Sequence, residues 1–436
     1  MASIDCNYEV NIFNFNTTLI DFLEELSYKL MMAEKIVIIG GGQASLSCAS
    51  QLRSIGFDGE ICMICEESSY PYQRPPLSKK FLTGHILEER LLLKKMEYYK
   101  SNNIQVLLSS KAIKIDRENK KIHLQSGEKI SYTKLVLATG SKAKKAPLRE
   151  EEDYSNVFYL RNLDDAKRLK TSLIPSKKIL IVGGGYLGLE VASICSSAGM
   201  NAIVVEGADR ILKRVSGEPT AAYLKQIFSN KGVRIIENDF VKRINSIESH
   251  VTNIELASGT SIDIDFLLVA TGGYPEVDLA EAAKLNIENG IKVNEKLETN
   301  DPSIFAAGDC ASFLHNGVLL RLESVGNAID QGQTVALNIV GKKITFNAKP
   351  WFWTEQFDQK LQIAGLCDGF TEIIKRKLKD KMSFWYFKNE MLIAVDAFND
   401  PQSYMIGKRL IEENKSPKKE TLRDINFQIK DALNIT

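Results

Sequence analysis

The chain has 436 residues, 44% of them hydrophobic and 25% charged, with a formal net charge of +1. That balance is ordinary for a folded protein of two or three domains and supplies no global field for nucleic acid or a membrane surface. No apolar run reaches transmembrane length, the seven cysteines have no framework spacing and fit reduced thiols in a cytoplasm, and His85, His123, His250 and His315 are too scattered for a metal centre.

Residues 1–33 form an N-terminal extension. Asp21-Phe22-Leu23-Glu24-Glu25-Leu26 has the pattern of a short amphipathic helix. Asp5, Glu9, Asp21, Glu24 and Glu25 outweigh Lys29, which suits neither a secretory signal nor an arginine-rich transit peptide. Met31 and Met32 stand just before the first strand, so an over-extended start and a docking helix both account for the segment.

A first dinucleotide fold is predicted over residues 34–146. Lys35-Ile36-Val37-Ile38-Ile39 reads as a buried parallel strand. Gly40-Gly41-Gly42-Gln43-Ala44-Ser45 follows and opens a helix that runs to Arg53. Gly40 permits the tight turn, and Gly42 lets the backbone approach a pyrophosphate over the helix N-terminus. Ser45 stands at the third position, where Gly or Ala is usual. A strand from Glu60 to Cys65 ends at Glu66, where a Rossmann unit places its ribose-binding acid. Cys62-Met63-Ile64-Cys65 is formally a C-x-x-C. On a strand, side chains three apart point to opposite faces, so the two read as apolar core residues rather than a redox pair.

Arg74-Pro75-Pro76-Leu77-Ser78-Lys79 comes next. Two consecutive prolines fix φ and remove two donors, giving a stiff turn that can hold one lysine still. The plain alternative is a proline-rich surface turn with a solvated lysine. Residues 104–140 read as a small sheet excursion through Ile113-Lys114-Ile115 and Lys121-Ile122-His123-Leu124, with Gly127 turning the chain. The buried strand Lys134-Leu135-Val136-Leu137 then closes on Ala138-Thr139-Gly140, with the backbone crossing near the cofactor.

The plan repeats over residues 147–265. Lys178–Val182 is a strand, and Gly183-Gly184-Gly185-Tyr186-Leu187-Gly188 is a full G-x-G-x-x-G before a helix from Leu189 to Ala198. The next strand, Ala202–Val205, ends at Glu206, whose carboxylate suits the hydroxyls of an adenosine ribose and repels a 2′-phosphate. This favours NADH over NADPH, although Arg210 lies near enough to weaken the preference. Two fingerprints imply two dinucleotides, FAD in the first unit and NAD(P)H in the second. Glu190, on the first turn of the second helix, has Lys79 as its obvious counter-ion, in an active-site pair or a structural one.

Asp263–Ala270 followed by Thr271-Gly272 repeats the Ala-Thr-Gly ending and returns the chain to the first domain. Ile304-Phe305-Ala306 leads to Asp309 at the carboxyl end of a strand, where open α/β sheets bind ligands. Arg321-Leu322-Glu323-Ser324-Val325 opens a helix to Ile339, whose N-terminus suits negative charge on a reduced flavin. From Pro350 the chain turns aromatic, with Trp351-Phe352-Trp353 and Phe384-Trp385-Tyr386-Phe387, and reads as a small α/β interface domain.

On these motifs, with Ala307-Gly308-Asp309-Cys310 and Pro350-Trp351-Phe352-Trp353 added, residues 34–410 resemble the oxygenase-coupled NADH–ferredoxin reductases. That family takes in putidaredoxin, rubredoxin and aromatic-dioxygenase reductases and, more distantly, apoptosis-inducing factor. The resemblance implies a glutathione-reductase-like α/β fold. It has a discontinuous FAD domain (34–146 and 266–345), an NAD domain (147–265) and a C-terminal α/β domain (346–436). By motif position, FAD should be held by Gly40, Gly42, Ala44, Glu66, Arg74, Lys79, Ala112, Arg161, Asp309 and Val325. NADH should be held by Gly183, Gly185, Gly188 and Glu206. Lys79, Glu190 and Trp353 are the expected catalytic residues, with the Lys79–Glu190 pair beside flavin N5 and Trp353 near the ring.

The implied activity passes a hydride from NADH to FAD and then single electrons to a [2Fe-2S] ferredoxin, or to a rubredoxin, supplying an oxygenase. The alternative is a redox-sensing flavoprotein like apoptosis-inducing factor. A monomer or a homodimer is compatible with either. Lys375-Arg376-Lys377 and Lys379 suit an acidic partner, against the simpler reading of a solvated strand edge. Departures from the family are Ser45, Ala270-Thr271-Gly272 for Gly-Ile-Gly, Glu276 for Asn, and Thr354-Glu355-Gln356 for Ser-Asp-Gln. Disulfide reductases of this fold carry cysteine in the slot that here holds Pro75 to Thr83, which has none.

Overall fold

The structure, a computed structural model, describes residues 34–145 and 154–434. The helix expected at Asp21–Leu26 lies outside these residues.

Two parallel sheets organise the chain. The first runs in the order Ile304–Ala306, Lys134–Leu137, Lys35–Ile39, Glu60–Ile64, Ile104–Leu107, and every neighbouring pair is parallel. Its central strands, Lys35–Ile39 and Lys134–Leu137, run as continuous Ile/Val/Leu stretches after a leading lysine, as strands covered on both faces do. Helix α1 (Gln43–Ser54) leaves the tip of the central strand. The two expected excursion strands form at Ala112–Asp116 and Lys121–Leu124 and gain a third at Lys129–Ser131, whereas Ile104–Leu107, expected in the same excursion, joins the parallel sheet beside Glu60–Ile64.

The second sheet repeats this plan in the order Arg234–Glu237, Asn201–Glu206, Lys178–Val182, Phe266–Val269, Val157–Phe158, again all parallel. Helices α2 (Tyr186–Ser197) and α3 (Glu218–Asn230) belong to this unit. Phe266–Val269 corrects the domain boundary expected at 265/266. It pairs with Lys178–Val182 in the register Ile179↔Phe266, because the central strand needs a parallel neighbour on each side. The return to the first unit starts later, where Gly273–Pro275 pairs antiparallel with Ser141–Ala143. The two connections between the nucleotide units are thus hydrogen-bonded to each other.

Helix α4 (Val325–Ile339) starts at its N-cap Ser324, whose side chain accepts from the Asn327 N–H. It lies close against α1: a Cβ on Gly332 would sit 2.4 Å from the Ala44 carbonyl oxygen. The C-terminal domain is an antiparallel sheet in the order Trp351–Gln356, Gln359–Gly365, Met391–Phe398, Lys381–Lys388, Glu372–Leu378, backed by α5 (Pro401–Glu412). The alternation of a strand explains the Phe384-Trp385-Tyr386-Phe387 run. Phe384 and Tyr386 enter a core shared with Leu224 and Phe228 of the second nucleotide unit, whereas Trp385 and Phe387 enter one with Leu410 and Leu422.

The basic run at 375–379 is only partly available to a partner. Glu372–Leu378 is an edge strand, and Lys375, Lys377 and Lys379 are exposed. Arg376 points the other way: it is buried and donates to the carbonyl oxygens of Leu422, Asp424 (2.8 Å) and Phe427 (3.0 Å), clamping the C-terminal segment.

Candidate functional site

Each glycine turn divides into positions the protein itself requires and one left open. Gly40 has φ +130°, and a Cβ there would lie 2.1 Å from the Ala138 carbonyl oxygen. Gly183 repeats this at φ +113°, 2.3 Å from the Ala270 carbonyl oxygen. The Ala-Thr-Gly crossings therefore pass directly over the first glycines. At Gly188 a Cβ would strike the Gly183 carbonyl oxygen at 2.1 Å. Its counterpart Ser45 fits, fully buried, with its hydroxyl lacking a protein partner.

Gly42 and Gly185 differ. A Cβ at either would meet no protein atom within 4 Å, and neither helix they open has a side-chain N-cap. The first N–H groups of α1 and α2 thus face open space. Two such cradles fit the pyrophosphates of two dinucleotides.

The two acids expected at the riboses, alike in sequence, are placed differently. Glu206 accepts from the Gly184 N–H (2.7 Å) and the Ala208 N–H (2.8 Å), which fixes the carboxylate at the glycine turn. Arg210 is drawn aside, donating to the Ser216 carbonyl at 2.8 Å. Glu66 is exposed and pairs with Lys111 at 2.8 Å, next to Ala112 at the start of its strand. Its neighbour Glu67, which sequence reasoning missed, pairs with Arg74 (2.5 Å) and accepts from the Tyr72 hydroxyl (2.5 Å).

Arg74 also donates to the Arg161 carbonyl (3.1 Å), and the Arg161 guanidinium pairs with Asp309 (3.1 Å). Three residues separated by up to 235 positions in sequence are thereby joined. A Cβ on Gly308 would lie 3.2 Å from that of Ala44, and Val325 is the first residue of α4. Arg74, Arg161 and Asp309 are therefore drawn together beside Ala44, while Lys111 holds Glu66 next to Ala112.

The Pro-Pro segment is a 3₁₀ turn, Pro75–Ser78, that delivers Lys79 to Glu190 on the second turn of α2, a helix that starts at Tyr186 rather than at the expected Leu189. Lys79 Nζ lies 2.6 Å from Glu190 Oε1, with side-chain exposures of 14% and 5%, so the pair is buried. Sequence reasoning did not find its other partners. The Ser78 hydroxyl donates to Glu190 Oε2, and the Thr354 hydroxyl donates to Glu190 Oε1 at 2.6 Å. Gln356 Nε2 in turn donates to the Thr354 hydroxyl at 2.6 Å. Ser78 had a signal in its place beside Lys79; Thr354 stood out only as a departure from the family pattern.

Trp353 stacks on Trp351 at 5.6 Å between ring centroids, the two sharing one face of their strand. Trp351 lies on the first turn of α4, where a Cβ on Gly326 would approach its indole nitrogen at 2.3 Å. Phe352, on the opposite face, stacks on Tyr186 at 4.3 Å. Glu276, the departure near the expected nicotinamide site, is paired with Lys142 on the doubled connection. No described cysteine takes part in the hydrogen bonds around Glu190. The six described ones are free, and burial pushes the Cys62 and Cys65 thiols up to about 11 and about 12.

Two glycine cradles and a buried Lys–Glu pair at the meeting of three domains define a flavoprotein oxidoreductase built for two dinucleotides. Residues 34–332 match the family described as pyridine nucleotide-disulphide oxidoreductase, and residues 351–433 match the reductase C-terminal domain. Rhodocoxin reductase of Rhodococcus erythropolis is 34% identical over 91% of this chain and 94% of its own length. A rubredoxin-NAD(+) reductase of Pseudomonas putida is 36% identical over 84% and 96%. The solved covalent putidaredoxin reductase–putidaredoxin complex contains a chain 32% identical, with a TM-score of 0.89 over 92% of this chain and 98% of that one. The chain belongs to the pyridine nucleotide-disulphide oxidoreductases and, within them, to the ferredoxin-reductase group that its motifs resemble. It is an FAD-dependent oxidoreductase that uses a pyridine nucleotide.

Proposed function

We propose that this chain takes reducing equivalents from NADH and delivers them singly to a [2Fe-2S] ferredoxin that supplies an oxygenase. The observation that carries this reading is the buried Lys79–Glu190 pair, assembled from both nucleotide units in the slot where related disulfide reductases hold cysteine. Bound FAD supplies the conversion of a two-electron hydride donor into single-electron steps.

The chain's own residues would bind and orient. Gly42 and the N-terminus of α1 would receive the FAD pyrophosphate, with Gly40, Ala44, Arg74, Arg161, Asp309 and Val325 lining its site and Glu66 and Ala112 at the adenosine end. Gly183, Gly185, Gly188 and Glu206 would hold NADH. Arg210, tied to a backbone carbonyl, leaves the preference for NADH over NADPH to Glu206. Lys79 would stabilise negative charge on the reduced cofactor, Glu190 would hold the lysine, and Trp353 would cover the ring.

The partner is a small redox protein, as the names of the relatives suggest, and rubredoxin is the second reading because a rubredoxin reductase is 36% identical. No helix among the described residues is long and apolar enough to cross a membrane, and the free thiols support a cytoplasmic location.

The deciding experiment is anaerobic. Flavin bleaching is followed at equal NADH and NADPH, then a [2Fe-2S] ferredoxin or a rubredoxin is added with cytochrome c as final acceptor. Fast bleaching by NADH and cytochrome reduction that requires ferredoxin are expected. Slow bleaching, or reduction without either carrier, overturns the reading; dependence on rubredoxin alone replaces the acceptor.

A further inference from the structure

Glu190 is held from three domains at once. The first nucleotide unit supplies Lys79 and Ser78, the second supplies Glu190 itself, and the C-terminal domain supplies Thr354. Thr354 and Gln356 are fully buried and lie two apart on one strand, so their side chains share a face. The hydroxyl has one proton, and it goes to the carboxylate; the Gln356 amide then donates to the same oxygen and stops the hydroxyl rotating away. A buried hydrogen bond to a charged acceptor that is itself reinforced by a second donor polarises both.

We propose that Thr354, locked by Gln356, is a positioning residue for the Lys79–Glu190 pair, through which the C-terminal domain sets the charge presented to the flavin. The inference rests on the reading that the pair stands beside bound FAD. Lys79 Nζ and the Thr354 hydroxyl share one oxygen, Glu190 Oε1. Negative charge that the hydroxyl takes up is charge that does not neutralise the lysine. Without the hydroxyl, Glu190 offsets the ammonium more completely, the reduced flavin loses stabilisation, and the potential falls.

The test uses holoprotein carrying Thr354→Val, Thr354→Ser or Gln356→Leu. The flavin midpoint potential is measured by equilibration with a reference dye, beside kcat and KM for NADH. Thr354→Val keeps its FAD and its KM within twofold. Its potential is lower by the equivalent of a roughly tenfold change in equilibrium constant, about 30 mV for a two-electron couple, and kcat falls several-fold. Thr354→Ser restores both values, and Gln356→Leu falls between. A wild-type potential and kcat in Thr354→Val overturn the proposal, and so does a Ser variant as impaired as the Val variant, because packing would then be the cause. If Thr354→Val fails to hold FAD, Gln356→Leu decides: a lowered potential supports the role and an unchanged one refutes it. Wild-type protein that lacks FAD, or is not bleached by NADH, fails the functional reading itself before any variant is compared.

Discussion

Glu190 is a charged residue with almost no access to water, and its partner Lys79 is largely shielded. A buried ion pair seldom repays its desolvation in stability, so its presence here points to a task beyond holding the fold. Lys79→Met is expected to slow flavin reduction by NADH about 10- to 100-fold while leaving the FAD content intact. Ser78 and Thr354 still satisfy the carboxylate in that variant. Stopped-flow bleaching at the wild-type rate would remove the lysine from the mechanism. Both members of the pair were legible in sequence, one after two prolines and the other just inside a glycine-opened helix. Ser78 and Thr354 reach the carboxylate from 112 and 164 residues away, and no spacing rule spans that distance. Glu67 was hidden for a different reason: it sits one residue past the position where the fingerprint places its acid.

At the scale of elements, a glycine motif mixes two requirements that a substitution can separate. Gly183 has a positive φ and the Ala270 carbonyl pressed against it, whereas Gly185 has φ −79° and open space in front. Gly183→Ala is expected to destabilise the protein by about 2–4 kcal/mol. Gly185→Ala should change stability by less than about 0.5 kcal/mol yet raise the KM for NADH about tenfold, since its Cβ enters the cradle. Thermal unfolding and steady-state kinetics on the two variants check this; equal losses of stability would mean that Gly185 serves packing alone. The strand, glycine turn, helix and second strand that open each nucleotide unit were legible to within a few residues, because continuous apolar runs and glycine turns are local signals; the helix Glu218–Asn230 and the strands Arg234–Glu237 and Val157–Phe158 were not read. Phe266–Val269 was assigned to the wrong unit because its apolar sequence suits either sheet. Only the vacant edge of Lys178–Val182 selects one.

At the scale of the whole molecule, the C-terminal domain is held to the second nucleotide unit by a buried polar cluster. Asp396 Oδ2 lies 2.7 Å from the Thr220 hydroxyl on the first turn of α3 and 2.9 Å from the Tyr386 hydroxyl. Tyr386 sits over Gly217, where a Cβ would meet its ring at 2.4 Å. Burial lifts the Asp396 carboxyl to about 6, against the ordinary 3.8, and the two hydroxyls only partly oppose the rise. The folded state therefore holds this proton more tightly than the unfolded chain. The group's contribution to stability falls as pH rises from about 4 through about 6 and is level above that. Asp396→Asn, which has no charge to bury, should gain on the wild type by about 2 kcal/mol between pH 4.5 and pH 7.5. Thermal unfolding of both holoproteins across that range tests it; a difference that does not change with pH would remove Asp396 from the pH dependence.

The sequence by itself determined the two nucleotide units, their glycine turns and acids, the Lys79–Glu190 candidates and the aromatic C-terminal domain. Each rests on residue type at short spacing: a strand's apolar run, a turn's need for glycine, a helix N-terminus left free. The tertiary structure alone decided what surrounds those residues. It turned Arg376 inward to clamp the C-terminal segment, left Glu66 at the surface, fixed Glu206 to backbone N–H groups, and brought Thr354 to Glu190. These outcomes depend on which surfaces the three domains bury against one another. That choice is made by packing and hydrogen-bond satisfaction over the whole chain, for which no local pattern carries a code.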